Sequence, residues 1–164
     1  MITEFKNELR KVSLYSNMLM GLTSIHHLYG AFIYKTPWRA HVLFISVPVI
    51  MITIILTRFI QSAGNGMQKF LLWLYWAIIL CAPVLLIGVF EGLYNHVLKN
   101  SLFFSGLSEA WMHKIFPPGM YEMPNNIFFE VTGAMQGVFA VFLINSFIKL
   151  TGRILKNRPK VYAA

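Results

Sequence analysis

The stretch VLFISVPVIMITIILTRFI, residues 42–60, has a single charged side chain, Arg58, and is long enough to cross a membrane as a helix. A transmembrane helix needs about 20 mostly apolar residues to span about 30 Å of hydrocarbon. Three more stretches meet this criterion, at about residues 14–34, 70–98 and 127–148. These runs are long and continuous, which predicts helices rather than the short alternating strands of a barrel. The expected fold is all-α, a polytopic bundle of four transmembrane helices.

The composition of the whole chain leads to the same conclusion. Of its 164 residues, 57% are hydrophobic and only 12% are charged, whereas about a quarter of the residues of a soluble domain are charged. A chain of this length cannot hide so much apolar surface in one water-soluble core. A disulfide framework is excluded because Cys81 is the only cysteine.

The basic residues predict the orientation of the bundle through the positive-inside rule. With four spans, the side that holds both termini carries ten lysines and arginines, and the opposite side carries four. The ten are Lys6, Arg10, Lys11, Arg58, Lys69, Lys149, Arg153, Lys156, Arg158 and Lys160, and the four are Lys35, Arg39, Lys99 and Lys114. Both termini are therefore expected in the cytoplasm, in a plasma or inner membrane. The net charge of +8 then indicates contact with anionic lipids, not nucleic-acid binding.

The segments outside the spans also have expected roles. Residues 1–12 have helical spacing of apolar side chains and should lie at the membrane interface. The connection 99–125 is long for a bundle loop, which predicts structure within it, including a helix over residues 101–116. Residues 149–164 form a basic cytoplasmic tail. The side chain of Lys99 is long, so we expect its ammonium to reach the membrane surface.

Ionisable side chains inside three of the spans are expected at one depth. His26 and His27 lie late in the first span, Glu91 and His96 lie late in the third, and Glu130 lies early in the fourth. Because the first and third spans run outward and the fourth runs inward, all five side chains fall in the outer half of the membrane. Polar groups are costly there and need partners. The sequence therefore predicts a cluster.

The leading hypothesis is a transition-metal site, because imidazole and carboxylate together suit zinc, copper, iron or manganese. The expected ligands are His26, His27, Glu91, His96 and Glu130, with Glu91 and Glu130 also as catalytic groups, and with Asn95, Thr23 and Tyr94 as supporting residues. At about 100° per residue the two adjacent histidines point apart, so we expect only one of them to reach a shared centre.

Two alternatives assign the same residues other chemistry. Haem b would take His26 and His96 as axial ligands from two helices. Without a cofactor, a carboxylate and an imidazole in the membrane can exchange protons near neutral pH and so act as a proton relay. The same residues can instead line a pocket for a lipid ligand. Such a pocket would belong to a small transporter or membrane enzyme.

The remaining alternatives involve no reaction. Interhelical hydrogen bonds from these side chains can simply hold the bundle together. The spacings Gly88-x-x-x-Gly92 and Gly133-x-x-x-Gly137 are typical of close helix packing. They would suit packing, homo-oligomerisation or a non-catalytic subunit that docks to a larger membrane complex. The chain has no phosphate-binding loop, dinucleotide fingerprint or zinc-protease helix. Membrane lipids are the expected partners in every case.

Overall fold

The computed structural model of the protein describes residues 2–156, without the side chains of residues 2 and 65. Helix makes up 87% of the structure, and the described residues contain no strand. The all-α prediction is confirmed. Part of the expected basic tail, with Arg158 and Lys160, lies outside the described residues, as does Met1.

Long helical rods, joined by shorter segments, make up the bundle. The first rod is α1, Ile2–Ile33; a 3₁₀ turn, Pro37–Val42, leads into α2, Leu43–Ser62. The third rod is α3, Asn65–Ile79, which continues without a break through a π-helical segment, Leu80–Leu98, into α4, Lys99–Phe104. A short helix, α5, Glu109–Ile115, precedes the last rod, α6, Ile127–Lys156.

Three of the helical stretches are long and apolar enough to cross a membrane: Pro37–Ser62, Gly66–Phe104 and Ile127–Lys156. They contain the second, third and fourth expected spans, as a membrane protein requires. Helix α1 is also of spanning length, but polar residues such as Asn17, His26 and His27 keep its hydropathy below that of the other three. Residues 2–12 are a continuous part of this helix.

The two glycine spacings form the contact between the π-helical segment and α6. A Cβ atom on Gly92 would lie 2.8 Å from the backbone nitrogen of Gly137, and one on Gly88 would lie 3.0 Å from the Cβ atom of Ala140. The two backbones therefore touch, as small residues allow. These glycines are therefore used in packing within the chain.

The two ends of the bundle differ in character. At the end where α1 begins and α6 ends, Arg153 Nη1 lies 2.9 Å from Glu4 Oε2 on the surface. The Arg153 guanidinium donates a hydrogen bond to Glu4 and so holds the pKa of that carboxyl below its usual value. We call the opposite end, formed by the 3₁₀ turn and residues 99–126, the loop end.

The connection at the loop end contains two short helices where the sequence predicted one. Helix α4 ends at Phe104, and Gly106, two residues later, has a φ of +83° that suits glycine. The amides of Gly106 and Leu107 donate to carbonyls in the last turn of α4. Helix α5 then packs Met112 and Phe116 into the bundle. The hydroxyl of Tyr94 donates to the carbonyl of Ile115 at 3.1 Å, which ties this connection to the third rod.

Candidate metal centre

A buried group of histidines and glutamates lies near the loop end of the bundle. His26 comes from α1, and Glu91 and His96 come from the π-helical segment. His26 is fully buried and His96 is 2% exposed. One ligand atom from each of the three residues lies within 4.8 Å of the other two. Such a triangle can hold a metal ion.

Glu91 is the central member of the group. Its Oε1 atom lies 3.5 Å from His96 Nε2 and 3.3 Å from His27 Nε2. Its other oxygen accepts a hydrogen bond of 2.8 Å from Asn95 Nδ2. The carboxylate therefore contacts three polar side chains, two of them imidazoles.

The π-helical winding explains how Glu91 meets His96. In an α-helix, residues five apart point about 140° apart. A π-helix bonds residue i to residue i+5, as the amide of Lys99 does with the carbonyl of Tyr94. Because this wider winding turns each residue less than an α-helix does, residues five apart point in more similar directions. The contact between Glu91 and His96 thus depends on this winding, which the sequence spacing did not reveal.

Glu130 lies on the other edge of the His96 ring. Its Oε2 atom is 3.6 Å from His96 Nδ1 and 3.9 Å from Lys99 Nζ. Lys99 also donates to the backbone carbonyl of Glu122 at 2.5 Å and is only 2% exposed. The expectation that Lys99 extends to the surface was therefore wrong: a buried carboxylate and a loop carbonyl hold its ammonium inside.

His26 has one ring nitrogen bonded and the other free. Its Nδ1 atom lies 2.9 Å from Thr132 Oγ1. The Thr132 hydroxyl donates its own proton to the carbonyls of Phe128 and Phe129, at 2.8 and 3.1 Å. With the Thr132 proton on a carbonyl, His26 Nδ1 is the donor in the pair, and the lone pair of a neutral ring is then on Nε2. That Nε2 atom is buried and has no hydrogen-bond partner among residues 2–156.

Aromatic packing fixes the orientation of the His26 ring. The ring stacks on Phe129 with centroids 4.0 Å apart, and it meets the His96 ring edge-on at 4.5 Å. The His96 ring in turn lies against Gly133, where a Cβ atom would overlap it. The two imidazoles therefore have little freedom to turn.

Two residues expected to support the site make hydrogen bonds to residues outside the cluster. Thr23 is fully buried one turn from His26, and its hydroxyl bonds to Gln136. Tyr94 bonds to the loop, as described above. Thr132 and Gln136 were not predicted from the sequence. Their spacing relative to Gly133 and Gly137 places all four on one face of α6, and this shared face could have indicated them.

A pocket of about 250 Å³ lies beside the cluster. The cluster contributes His27, Glu91, Asn95 and His96 to its lining, and the loop end contributes others, among them Trp38, Arg39, Tyr121 and Glu122. Arg39 is 8% exposed, and its guanidinium lies 3.3 Å from Glu122. The pocket thus gives access to the side of the cluster where Glu91 and His96 lie.

No protein-family model, curated protein or solved structure matches the chain. The chemistry of the cluster is therefore the basis for assigning a function.

Proposed function

We propose that the protein is a four-span membrane protein in which His26, Glu91 and His96 hold one transition-metal ion in the outer half of the bilayer. The convergence of three ligand atoms within 4.8 Å of one another carries the proposal. The free lone pair on His26 Nε2 supports it, since a buried nitrogen without a partner is costly unless it binds something.

The donor set indicates which ions fit. Two imidazoles and one carboxylate form the ligand set of catalytic zinc sites and of non-haem iron(II) sites. Both kinds of site leave at least one coordination position for water or substrate. Because Glu91 and His96 line the pocket, the open position would face it, and the ion would supply Lewis-acid or oxygen chemistry there.

The partners of the two imidazoles also support a metal. A histidine ligand usually donates its second ring N–H to an oxygen, which fixes the tautomer. His26 Nδ1 has Thr132 as that partner at 2.9 Å, whereas Glu130 Oε2 lies 3.6 Å from His96 Nδ1, just beyond hydrogen-bond distance. The sequence hypothesis made Glu130 a metal ligand. We propose instead that it is a carboxylate that orients His96.

His27 has a separate role in this proposal. Its Nε2 atom lies 3.3 Å from Glu91 Oε1, and its ring lines the pocket. It can hold a proton next to the open coordination position, as a general acid or base does. Glu91 is then the anionic ligand, and His27 replaces it as the candidate for proton transfer.

Charge balance also favours an ion. Two carboxylates, Glu91 and Glu130, lie in the cluster, and the ammonium of Lys99 lies beside Glu130. Uncompensated charge is expensive in a desolvated site. A divalent cation between Glu91 and the two imidazoles compensates the carboxylate that Lys99 does not reach.

Haem fits this geometry poorly. A haem takes one axial imidazole on each face of its ring, whereas the rings of His26 and His96 are in edge-on contact with centroids 4.5 Å apart. No porphyrin plane can pass between them.

A proton relay is the second candidate, and one observation favours it. His96 lies between two carboxylates, 3.5 Å from Glu91 and 3.6 Å from Glu130. An imidazole in this position can accept a proton on one nitrogen and release it from the other. The relay gives no role to the free nitrogen of His26, which is why we rank it second.

The membrane placement of α1 rests on where its polar residues lie. Beyond residue 12 its exposed side chains are apolar: Leu14, Met18, Ile25, Leu28 and Phe32. Its buried ones include Ser16, Thr23 and His26. A helix with polar residues inside and apolar residues outside is suited to lipid. We accordingly propose four spans, with both termini in the cytoplasm of a plasma or inner membrane.

Elemental analysis of the detergent-purified protein tests the metal proposal. We expect about one zinc or iron per chain and little in Glu91→Gln, which keeps the shape of the side chain but removes its charge. Glu109→Gln is the matched control, because Glu109 has a side chain 85% exposed on α5, and it should keep the metal. A metal-free wild type, or equal metal in both variants, contradicts the proposal.

A further inference from the structure

The pocket beside the cluster opens sideways through the bundle. Helix α2 packs on α1 and α3, whereas the π-helical segment packs mainly on α6, and contact between α2 and the π-helical segment is slight. The rods therefore separate toward the loop end. The pocket occupies this separation, with Val42 and Ile45 on one wall and Leu86 and Phe90 on the other.

The opening lies where lipid would surround the protein. Leu86 and Phe90 are 42% and 46% exposed and lie in the candidate span Gly66–Phe104. Both walls of the opening are apolar, and the far end of the pocket is polar, with Arg39, Asn95 and Glu122. The lining thus changes from apolar to polar toward the loop end, as a membrane changes from tails to head groups.

From this gradient we infer that the site takes an amphiphile of the outer leaflet, whose polar head group enters the pocket while its tail stays between α2 and the π-helical segment. The inference rests on the proposed metal site, to which it adds the substrate class. A volume of about 250 Å³ is below the range of about 300–1,000 Å³ typical of pockets that enclose a whole drug-sized ligand. The pocket therefore suits one end of a longer molecule.

The polar lining indicates the kind of head group. Arg39 is paired with Glu122, and Lys99 with Glu130. Since both side chains already have carboxylate partners, neither Arg39 nor Lys99 is free to bind an anionic head group. Asn95 Oδ1 is buried and has no hydrogen-bond partner in the described part of the chain, so it can accept a bond from a hydroxyl or amide. We therefore expect an uncharged polar head group that carries such a donor.

Photolabelling with a defined probe tests this inference. The probe is monoolein with a diazirine in its acyl chain, added to phosphatidylcholine nanodiscs that hold the full-length protein. Adjacent leucines provide matched variants: Leu86→Trp fills the opening, whereas Leu85→Trp places the same side chain on a lipid-facing position that is 50% exposed and outside the pocket. Ile45→Trp narrows the opening from the opposite wall.

We expect labelling of the pocket walls to fall about tenfold in Leu86→Trp and Ile45→Trp, which corresponds to about 1.4 kcal/mol of binding free energy, and to stay unchanged in Leu85→Trp. An analogous oleate probe should label the walls less than monoolein does. Equal labelling in the Leu85 and Leu86 variants, with the metal retained, overturns the inference and leaves the metal proposal intact. A metal-free wild type with the expected labelling pattern overturns the metal proposal and supports the amphiphile pocket.

Discussion

The Nε2 atom of His96 lies 3.5 Å from Oε1 of Glu91, although the two residues are five apart on one helical rod. An α-helix would point them about 140° apart, and the π-helical winding of Leu80–Leu98 brings them together. π-Helical turns are rare and are often found at functional sites. The winding is thus the local feature on which the candidate metal centre depends.

Exchanging two neighbouring residues tests this dependence. In the double variant Asn95→His with His96→Asn, the histidine follows Glu91 by four residues, as an α-helical site would prefer. The His96 ring is the one that contacts the His26 ring, so we expect the exchanged protein to lose metal affinity by more than about 100-fold, beyond the 10–100-fold typical of supporting residues. Metal titration of the apo protein measures this. Unchanged affinity would mean that residue 95 faces His26.

Thr132→Val should weaken metal binding without removing a ligand. The hydroxyl of Thr132 lies 2.9 Å from His26 Nδ1, and in the proposed site it accepts the Nδ1 proton and so keeps the Nε2 atom available. Loss of such a partner typically costs 10–100-fold in affinity, and we expect about that loss here. Thr53→Val is the control, because Thr53 is also buried, on α2, and its hydroxyl donates to the Val49 carbonyl at 2.6 Å. If both variants bind metal alike, the tautomer argument fails.

Gly133→Ala should destabilise the bundle as well as the site. A Cβ atom at this position overlaps the His96 ring, which the packing around it holds in place. Overpacking of this kind costs about 1–3 kcal/mol. At Gly152, on the same helix, a Cβ atom meets nothing within 4 Å, so Gly152→Ala should be neutral or slightly stabilising. Thermal unfolding in detergent compares the two. A Gly133→Ala protein as stable as Gly152→Ala would show that His96 does not lie against this glycine.

Cysteine labelling tests the orientation of the bundle. The chain has only Cys81, so a Cys81→Ala background can carry one new cysteine at a time. Ser62 ends α2 and Ser105 follows α4, and both are exposed at opposite ends of the bundle. In intact cells a membrane-impermeant maleimide should label Ser105→Cys and spare Ser62→Cys. Labelling of Ser62→Cys alone would reverse the orientation that the basic residues predict.

The sequence was sufficient for most of the fold because membrane spans follow from length and apolarity alone. The runs beginning near residues 42, 70 and 127 each lie in a helical stretch long and apolar enough to span. Helix α1 is harder to classify, because the polar residues that lower its hydropathy are those that it buries. An average hydropathy does not record whether polar residues lie on the buried face or the exposed face of a helix. That arrangement decides whether the helix suits lipid.

The sequence also indicated the cluster, since helices that alternate in direction place His26, Glu91 and His96 at one depth. It did not indicate which atoms meet. The contact between Glu91 and His96 required the π-helical winding, and the free nitrogen of His26 required Thr132 from another helix. The burial of Lys99 likewise depends on the carbonyl of Glu122 in the loop. Each of these contacts depends on tertiary packing, which residue spacing alone does not predict.

X-ray absorption spectroscopy of the metal in the purified protein identifies the ligands themselves. We expect two imidazole nitrogens and a carboxylate oxygen at about 2.0–2.2 Å, with one imidazole contribution lost in His26→Ala. The spectrum of Glu109→Gln should match that of the wild type. A metal without imidazole ligands, or a spectrum that His26→Ala leaves unchanged, would contradict the account.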